Sequence, residues 1–451
     1  MKTRILFLHD SPEFSREIEY TVRQLFCSVE GHEFELGFND ENFEADYRIS
    51  YGDTIPPDVD LSIPRQRILF NRSDRPIPGS LISNRYAHGS RFLYSVEKHK
   101  RPDGQFASNQ ALHFDVLEAT FFHLTRYEEW YASDDSLDKH GRLRSEAQFL
   151  VKEELHRIPV VDHIRLALLE TLGTSISNWP TKHTLTHDID CLRKFGSNKR
   201  IIRAFARTFL KEKNLKKTIS LARQFFEFRS TGKDPFDTFE WLFSKNRTKD
   251  RVVFFMSGGR TRYDNLYSLS DAEAGEAIGL AISNGYEIGL HPSYVTYKDS
   301  GQLAEERAAL ALGARTEITS SRQHILRYSV SETPRILQEN KIRRDYTLGY
   351  ADKIGFRCGT GMEFSIFDLD LRQELDVKEI PLVIMDGPLL MEAAYDVDKA
   401  KQLLFSFIQA NQSGTAITYN FHNSIFADAG VSTNSMKRLY EELLQKINDK
   451  S

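Results

Sequence analysis

Thr184-Leu-Thr-His-Asp-Ile-Asp190 opens as a strand and closes on two carboxylates. The run from His183 to Thr186 alternates apolar with polar residues, the period of an extended chain. Asp188 and Asp190 stand two residues apart, and on a strand such a pair shares one face. At a strand's end both acids can enter one pocket, which suits one group that holds a metal and one that moves a proton. A lone Asp-x-Asp also occurs in loops, where an Asp caps a helix. The rest of the chain separates the two readings, because it supplies histidines at the ends of other strands.

Downstream, strands and helices alternate. Arg251–Met256 carries Val-Val-Phe-Phe, a continuous apolar run of the kind a parallel sheet buries on both faces. Ser270-Asp-Ala-Glu273 is a capping box, and the helix it opens stops at Asn284-Gly285. Tyr286–Leu290 is the next strand and ends at His291; Gln302–Leu312 is helical. Arg322–Tyr328 alternates like a strand and contains His324, and Thr333-Pro334 starts a helix. Gly355–Cys358, Ile380–Met385 and Ala416–Phe421 are further strand candidates, the last ending at His422. Apolar residues at helical spacing mark Val397–Ile408 and Met436–Ile447. This alternation predicts an α/β fold with a parallel sheet, and the number of repeats predicts a closed or nearly closed (β/α) barrel over residues 179–451. Reactive groups in such barrels stand at the C-terminal ends of strands, so Asp188, Asp190, His291 and His422 are the candidates, with His324 a further one.

Residues 1–178 predict a smaller mixed α/β domain: a first strand at Lys2–Leu8, a helix at Phe14–Phe26, and short strands at Glu33–Phe38, Ala45–Tyr51, Leu61–Ile63 and Arg67–Phe70. Helices follow at Phe114–Glu129 and Val160–Leu172, and Asn178-Trp-Pro180 is the natural seam. Trp130 and Tyr131, at the charged end of the first helix, suit packing or sugar stacking, packing being the commoner use. Between about 193 and 246 the barrel pattern is interrupted by a basic insertion. Residues 193–224 hold eleven Lys or Arg against the single acid Glu212, with Ile201, Ile202, Phe205, Phe209 and Leu210 interleaved at helical spacing. Such a segment packs as a solvated cationic face, lies on an anionic membrane surface, or grips phosphate.

The 451 residues allow two or three domains, and a 40% hydrophobic share suffices for a sizeable core. A net charge of −4 provides no global field for nucleic acid, and none is expected as a partner. The N-terminus has only the four apolar residues Ile5–Leu8 in succession, too few for a secretory segment, and no run approaches a membrane span. Cys27, Cys191 and Cys358 are odd in number and far apart, which points to reduced thiols and a cytoplasmic, or membrane-peripheral, location. Cys191, beside the acidic pair, is either a packed small residue or a thiolate.

From about residue 180 onward the chain resembles the polysaccharide deacetylases, the NodB-type carbohydrate esterases. Thr186-His-Asp-Ile-Asp190 is similar to the first motif of that family, His291-Pro-Ser-Tyr-Val295 to the second, and Thr418-Tyr-Asn-Phe-His422 to the last. The Arg-bearing third motif corresponds to Arg322 in Arg322-Gln-His-Ile-Leu-Arg327. Tyr346–Arg357, with Asp345 and Asp352, resembles a site-lining segment of a bacterial branch that also carries an extra N-terminal domain. The resemblance implies a distorted barrel of the deacetylase type and removal of N-acetyl groups from a carbohydrate, either a surface polysaccharide or its nucleotide- or lipid-linked precursor. It implies Asp188 as general base, His422 as general acid, and a divalent ion, Zn²⁺ before Co²⁺, Mn²⁺ or Ni²⁺, on Asp190 and His291. Val295 stands where the family has its second histidine, so His324 or a water completes the ligands. Tyr294, Arg322, Asp352 and Arg357 are the expected substrate contacts. The same barrel also admits hydrolysis of another C–N bond, or a non-catalytic carbohydrate-binding or membrane-associated module.

Overall fold

The computed structural model describes residues 2–448 apart from 27–31, 54, 55, 57, 68, 71–109, 112–114, 174–178, 197, 207, 208, 211, 212, 214, 247, 265, 266 and 428–432. Cys27, Phe114 and Asn178 of the expectations above lie outside the described residues.

In the N-terminal region β1 (Lys2–His9), β2 (Glu33–Phe38), β3 (Tyr47–Gly52), β4 (Leu61–Pro64) and β5 (Gln110–Ala111) form a parallel sheet ordered β2-β1-β3-β4-β5. The expected strand at Arg67–Phe70 is absent among the described residues; Arg67 takes a left-handed φ of 56°, which ends extension. The helix expected over Phe114–Glu129 is broken in two, Val116–Leu124 and Tyr127–Trp130. Asp115 caps the first piece, accepting from the backbone N–H groups of Leu117 and Glu118. Arg126 makes the break at φ 53°, where its buried guanidinium donates to Glu129 (2.7 Å), to Gln148 (2.9 Å) and to the Arg357 carbonyl.

The second sheet contains β6 (Lys182–Ile189), β7 (Arg251–Phe255), β8 (Glu287–Leu290), β9 (Ser320–Ser321), β10 (Arg344–Asp345), β11 (Phe364–Asp368), β12 (Gln373–Glu379), β13 (Leu382–Met385) and β14 (Ala416–Asn420). Its order is β11-β12-β10-β9-β8-β7-β6-β14-β13; only the β11–β12 hairpin is antiparallel. Leu185, Ile189, Val253, Phe255, Ile288 and Leu290 join the main core, while Val252 and Phe254 form a separate inner cluster with Tyr346 and Ile380. This period-2 division leaves Thr184, Thr186 and Asp188 on the inner face.

Of the closed or nearly closed barrel expected, the structure shows a curled, parallel-rich sheet that stays open, because its edge strands β11 and β13 do not pair with each other. Irregular backbone bridges the gap: Leu382 N–H donates to the Leu348 carbonyl and Gly355 N–H to that of Val383. Gly355 sits at φ 147°, and a Cβ on Gly361 would lie 1.7 Å from the Ala416 carbonyl oxygen. Gly355–Cys358 is therefore a loop, not the expected strand. Arg322–Tyr328 is likewise not a strand. Pairing stops after Ser321, and a short 3₁₀ turn at His324–Leu326 follows.

Both sheets draw on a shared apolar core. Phe364 and Phe367 of β11 pack with Ile5, Tyr20, Phe121 and Leu168 of the N-terminal region. The Tyr20 ring lies 4.9 Å from that of Phe367, tilted by 44°, and its hydroxyl donates to the Ser365 carbonyl. Each such side chain contributes about 1.5–3 kcal/mol by burial.

Candidate metal centre and acid–base pair

Strand ends bring the candidate residues together from distant parts of the chain. Asp188 is within β6 and Asp190 is one residue past it. His291 follows β8, its N–H continuing the ladder to the Phe255 carbonyl. Arg322 follows β9 and donates its N–H to Leu290. His422 stands two residues after β14.

One ligand atom from each of Asp190, His291 and His324 lies within 4.8 Å of the others. The His291 ring meets the Arg322 carbonyl through Nδ1 at 2.6 Å, which assigns its proton to Nδ1 and turns Nε2 toward Asp190 Oδ1, 3.2 Å away. The His291 and His324 rings stand 5.0 Å apart at 64°. His324 Nδ1 is a buried atom with no hydrogen-bond partner among the described residues, and Asp190 Oδ1 has only the 3.2 Å contact with His291 Nε2. Acceptors converging without a donor between them require protons or a cation. Two imidazoles and a carboxylate also match the donor set of a catalytic divalent ion that keeps a position open. The donor set fits the implied metal.

Protonation states follow the same geometry. Burial opposes charge on Asp190, but the His291 contact and the nearby His422 outweigh it and hold its carboxyl well below the usual range. Burial, reinforced by His291, lowers His324 to about 4, so its ring is neutral near pH 7. For His291, burial is outweighed by Asp188 and Asp190, and its pKa is raised.

Beside the triad is a carboxylate held from both sides. Asp188 accepts from Arg322 Nη1 on Oδ1 (2.8 Å) and from Asn420 Nδ2 on Oδ2 (2.8 Å). Burial would raise its pKa, yet Arg322, His291 and His422 together depress it. His422 faces it, with Nε2 3.9 Å from Asp188 Oδ2 and 3.7 Å from Asp190 Oδ2. Behind His422, Asp386 accepts from both the ring Nδ1 (2.9 Å) and the backbone N–H (2.7 Å). Burial lowers the His422 pKa, but Asp386, Asp190 and Asp188 override it and push it up to about 10. The site thus holds an ionised carboxylate and, 3.9 Å from it, a protonated imidazole.

His324 is presented by strained backbone. Ile325 and Leu326 take φ values of 60° and 54°, costly for non-glycine residues and most so for a β-branched one. The N-terminal region holds this turn. Arg142, pinned by Asp138 through two contacts of 2.6 and 2.8 Å, donates to the Ile325 carbonyl at 2.6 Å. Arg327 donates to the His140 carbonyl (2.8 Å) and the Tyr294 carbonyl (2.7 Å). His140 Nδ1 meets Tyr294 Oη at 3.1 Å, and Tyr294 stacks on Tyr263 at 4.5 Å. A loop from the first third of the chain therefore forms part of the site's wall.

Asp188, Asp190, His291, His324 and His422 come together; the expected substrate contacts mostly do not. Arg322 is fully buried in the Asp188 pair, with its Nε on the Tyr346 carbonyl, so its expected role is corrected from substrate contact to holding the carboxylate. Arg357 is also corrected: it is buried against both Glu129 oxygens (2.9 and 2.8 Å) and the Gly349 carbonyl. Asp352 accepts from Ser145 (2.6 Å) outside the cluster. Tyr294 remains half-exposed at the rim. Trp130 donates to Asp370 (2.8 Å). His187, expected to be structural, bonds the Phe421 carbonyl at 2.8 Å. Cys191 donates to the Arg193 carbonyl and is not part of the ligand group. Asp386, Asn420, Arg142 and His140 were not anticipated. Asp386 immediately follows β13, so the strand-end rule would have found it.

Fold and site define an α/β protein whose curled parallel-rich sheet carries a three-residue candidate metal centre beside an acid–base pair. The model of a family of unknown function, DUF7033, matches residues 7–177. No curated protein matches by sequence. Among solved structures, a candidate polysaccharide deacetylase from Mycobacterium smegmatis is similar over 59% of this chain and 84% of its own, at 14% identity and a TM-score of 0.36. A GH57 branching enzyme from Thermococcus kodakaraensis in complex with glucose is similar over 59% of this chain and 68% of its own, at 10% identity and a TM-score of 0.31. Likeness at this level carries no conclusion about activity.

Proposed function

We propose that the chain is a metal-dependent hydrolase that removes N-acetyl groups from a carbohydrate belonging to a cell-surface polysaccharide or its precursor. The observation that carries this reading is the pairing of Asp188 with His422, 3.9 Å apart, beside the Asp190–His291–His324 donor set. The motif resemblance noted above supplies the substrate class. A divalent ion on those three residues, with Zn²⁺ the first candidate and Co²⁺, Mn²⁺ or Ni²⁺ alternatives, would supply Lewis acidity toward the acyl oxygen and acidify water. Asp188, kept ionised by Arg322 and Asn420, takes a proton from the attacking water. His422, kept protonated by Asp386, gives one to the departing nitrogen as the C–N bond breaks. The products are acetate and a free amino sugar.

Elemental analysis of the wild type and of the Asp190→Ala/His291→Ala variant, followed by assay of acetate released from N-acetylated oligosaccharides, tests this. About one ion per chain, lost in the double variant, together with acetate release, is the expected result. Absence of bound ion after reconstitution with Zn²⁺ or Co²⁺ overturns it.

A further inference from the structure

The basic insertion is rooted on the rim of the candidate site. Asn423, the residue after His422, donates to the carbonyls of Cys191 (3.0 Å) and Phe236 (3.2 Å). Lys194 Nζ donates to the Ala427 carbonyl (2.9 Å) and to Gln224 (2.8 Å), and Gln224 donates to the same carbonyl. The N–H groups of Lys194 and Phe195 both end on Asp234. The insertion therefore stands on the side of the sheet where the histidines converge.

Its second helix, Leu215–Thr231, has two apolar faces. Leu221 is buried, and Phe225 and Phe228 each pack 5.5 Å from Phe195. A different line is bare. Leu215, Ile219 and Phe226 are 64%, 48% and 70% exposed, and their spacing of four and seven residues places them along one stripe. Ile202, on the preceding helix Asn198–Ala206, and Phe209 and Leu210, between the helices, are also exposed. The twelve exposed large hydrophobics among the described residues thus have six members within 25 consecutive positions. Interleaved with them are the eleven cations and one acid of residues 193–224. That stretch carries +10 and leaves −14 for the remainder of the chain.

We propose that this insertion is a docking surface for an anionic lipid bilayer. The exposed Ile, Leu and Phe side chains enter the interface, and the +10 charge of the stretch attracts it to the headgroup phosphates. Charge selects this occupant over a second copy of the chain, whose equivalent patch would set cations against cations. The exposed aliphatic side chains select it over a purely ionic polymer, which would leave them in water. Resting on the proposed function, the placement of the patch beside the site names the substrate class as an N-acetylated sugar displayed at a membrane surface.

Flotation of the full chain with vesicles of phosphatidylcholine containing 30 mol% phosphatidylglycerol, compared with pure phosphatidylcholine, tests the surface without any substrate. The expected result is binding to the anionic vesicles that weakens at least ~10-fold when NaCl rises from about 50 to 300 mM. A similar loss is expected in Leu215→Ser/Ile219→Ser/Phe226→Ser and in Lys216→Glu/Lys217→Glu, with circular dichroism and metal content unchanged. No binding to anionic vesicles overturns the proposal. So does binding that survives the triple serine variant, or a dimer in sedimentation equilibrium that this variant dissolves. Vesicle binding without acetate release would overturn only the proposed function; acetate release without vesicle binding would overturn only the docking surface.

Discussion

The two ends of the nine-stranded sheet are both rich in charge, yet they differ in how that charge is partnered. At the N-terminal ends of the strands a cleft of about 1090 Å³ is lined by Lys182, Asp250, Arg251, Glu287, Arg344 and Lys378, among others. Its ions neutralise one another in pairs: Lys182 with Asp250 at 2.7 Å, Lys378 with Glu363 at 3.0 Å, and Arg344 with Glu287. Arg251 is taken up by the carbonyls of Thr248 and Gly285. At the opposite end Asp188, Asp190, His291, His324 and His422 converge, and His324 Nδ1 remains buried without a hydrogen bond among the described residues. What separates the two ends is that the ions of the cleft are paired, while His324 Nδ1 is buried without a hydrogen-bond partner among the described residues.

The largest effect expected at the converging end is on proton transfer. Asp188→Asn keeps the Arg322 and Asn420 neighbours but cannot accept a proton. Metal content should stay at the wild-type value while acetate release falls by about 10²–10⁴-fold. Loss of metal in this variant would show that Asp188 and Asp190 exchange roles, and the comparison would need redrawing around Asp188 as ligand.

Metal affinity probes the next level. His324→Ala should weaken Zn²⁺ or Co²⁺ binding by at least ~100-fold. Arg142→Ala, which touches no ligand atom, should weaken it by about 10–100-fold, the range for groups that orient a ligand. With Co²⁺ as probe, Arg142→Ala should also alter the visible spectrum, and Arg142→Lys should restore part of the loss. An unchanged affinity in Arg142→Ala would remove the N-terminal region from the metal centre.

How much of this was legible in the sequence depends on how local each determinant is. Asp188, Asp190, His291 and His422 were readable because period-2 alternation ends at each of them, and strand ends in parallel α/β folds carry chemistry. His324 was selected for the wrong structural reason: the segment expected as a strand is a strained turn. Arg142 and His140 were not legible. They reach the site only because a loop some 180 residues earlier in the chain folds against residues 325–327. Whether the sheet closes was not legible for a related reason, since alternation counts strands but does not report that Gly355 and Gly361 admit irregular backbone at the edge.

Between the two ends lies a pair that is neither converging nor neutralised. Asp345 and Glu379 are fully buried neighbours, and Asp345 Oδ2 and Glu379 Oε2 each lack a hydrogen-bond partner, so one proton between them is required. Burial raises Asp345 to about 6, against the hydrogen bonds from Thr347 and Ser321 that lower it, and raises Glu379 further. Because the folded-state pKa of Asp345 exceeds its unfolded value, the protonated form supports the fold fully below about 3.8, and this support is lost as pH rises through about 6. Asp345→Asn removes that dependence. Its stability relative to wild type should therefore climb between pH 4 and 7, by up to roughly 3 kcal/mol. Urea unfolding at several pH values measures it, and a flat difference would show that Glu379 alone carries the proton.

The smallest effect belongs to the paired end. Lys182 and Asp250 are half-exposed, with 59% and 42% of their side chains open to water, so their 2.7 Å contact is screened and both are readily hydrated when separated. Lys182→Ala should lower stability by less than about 1 kcal/mol and leave metal affinity and acetate release at wild-type values. A larger loss would make the paired end a strained or ligand-holding region in its own right. A change in metal affinity would mean that β6 transmits strain along its eight residues from Lys182 to Asp188 and Asp190, and the two ends could no longer be treated as independent.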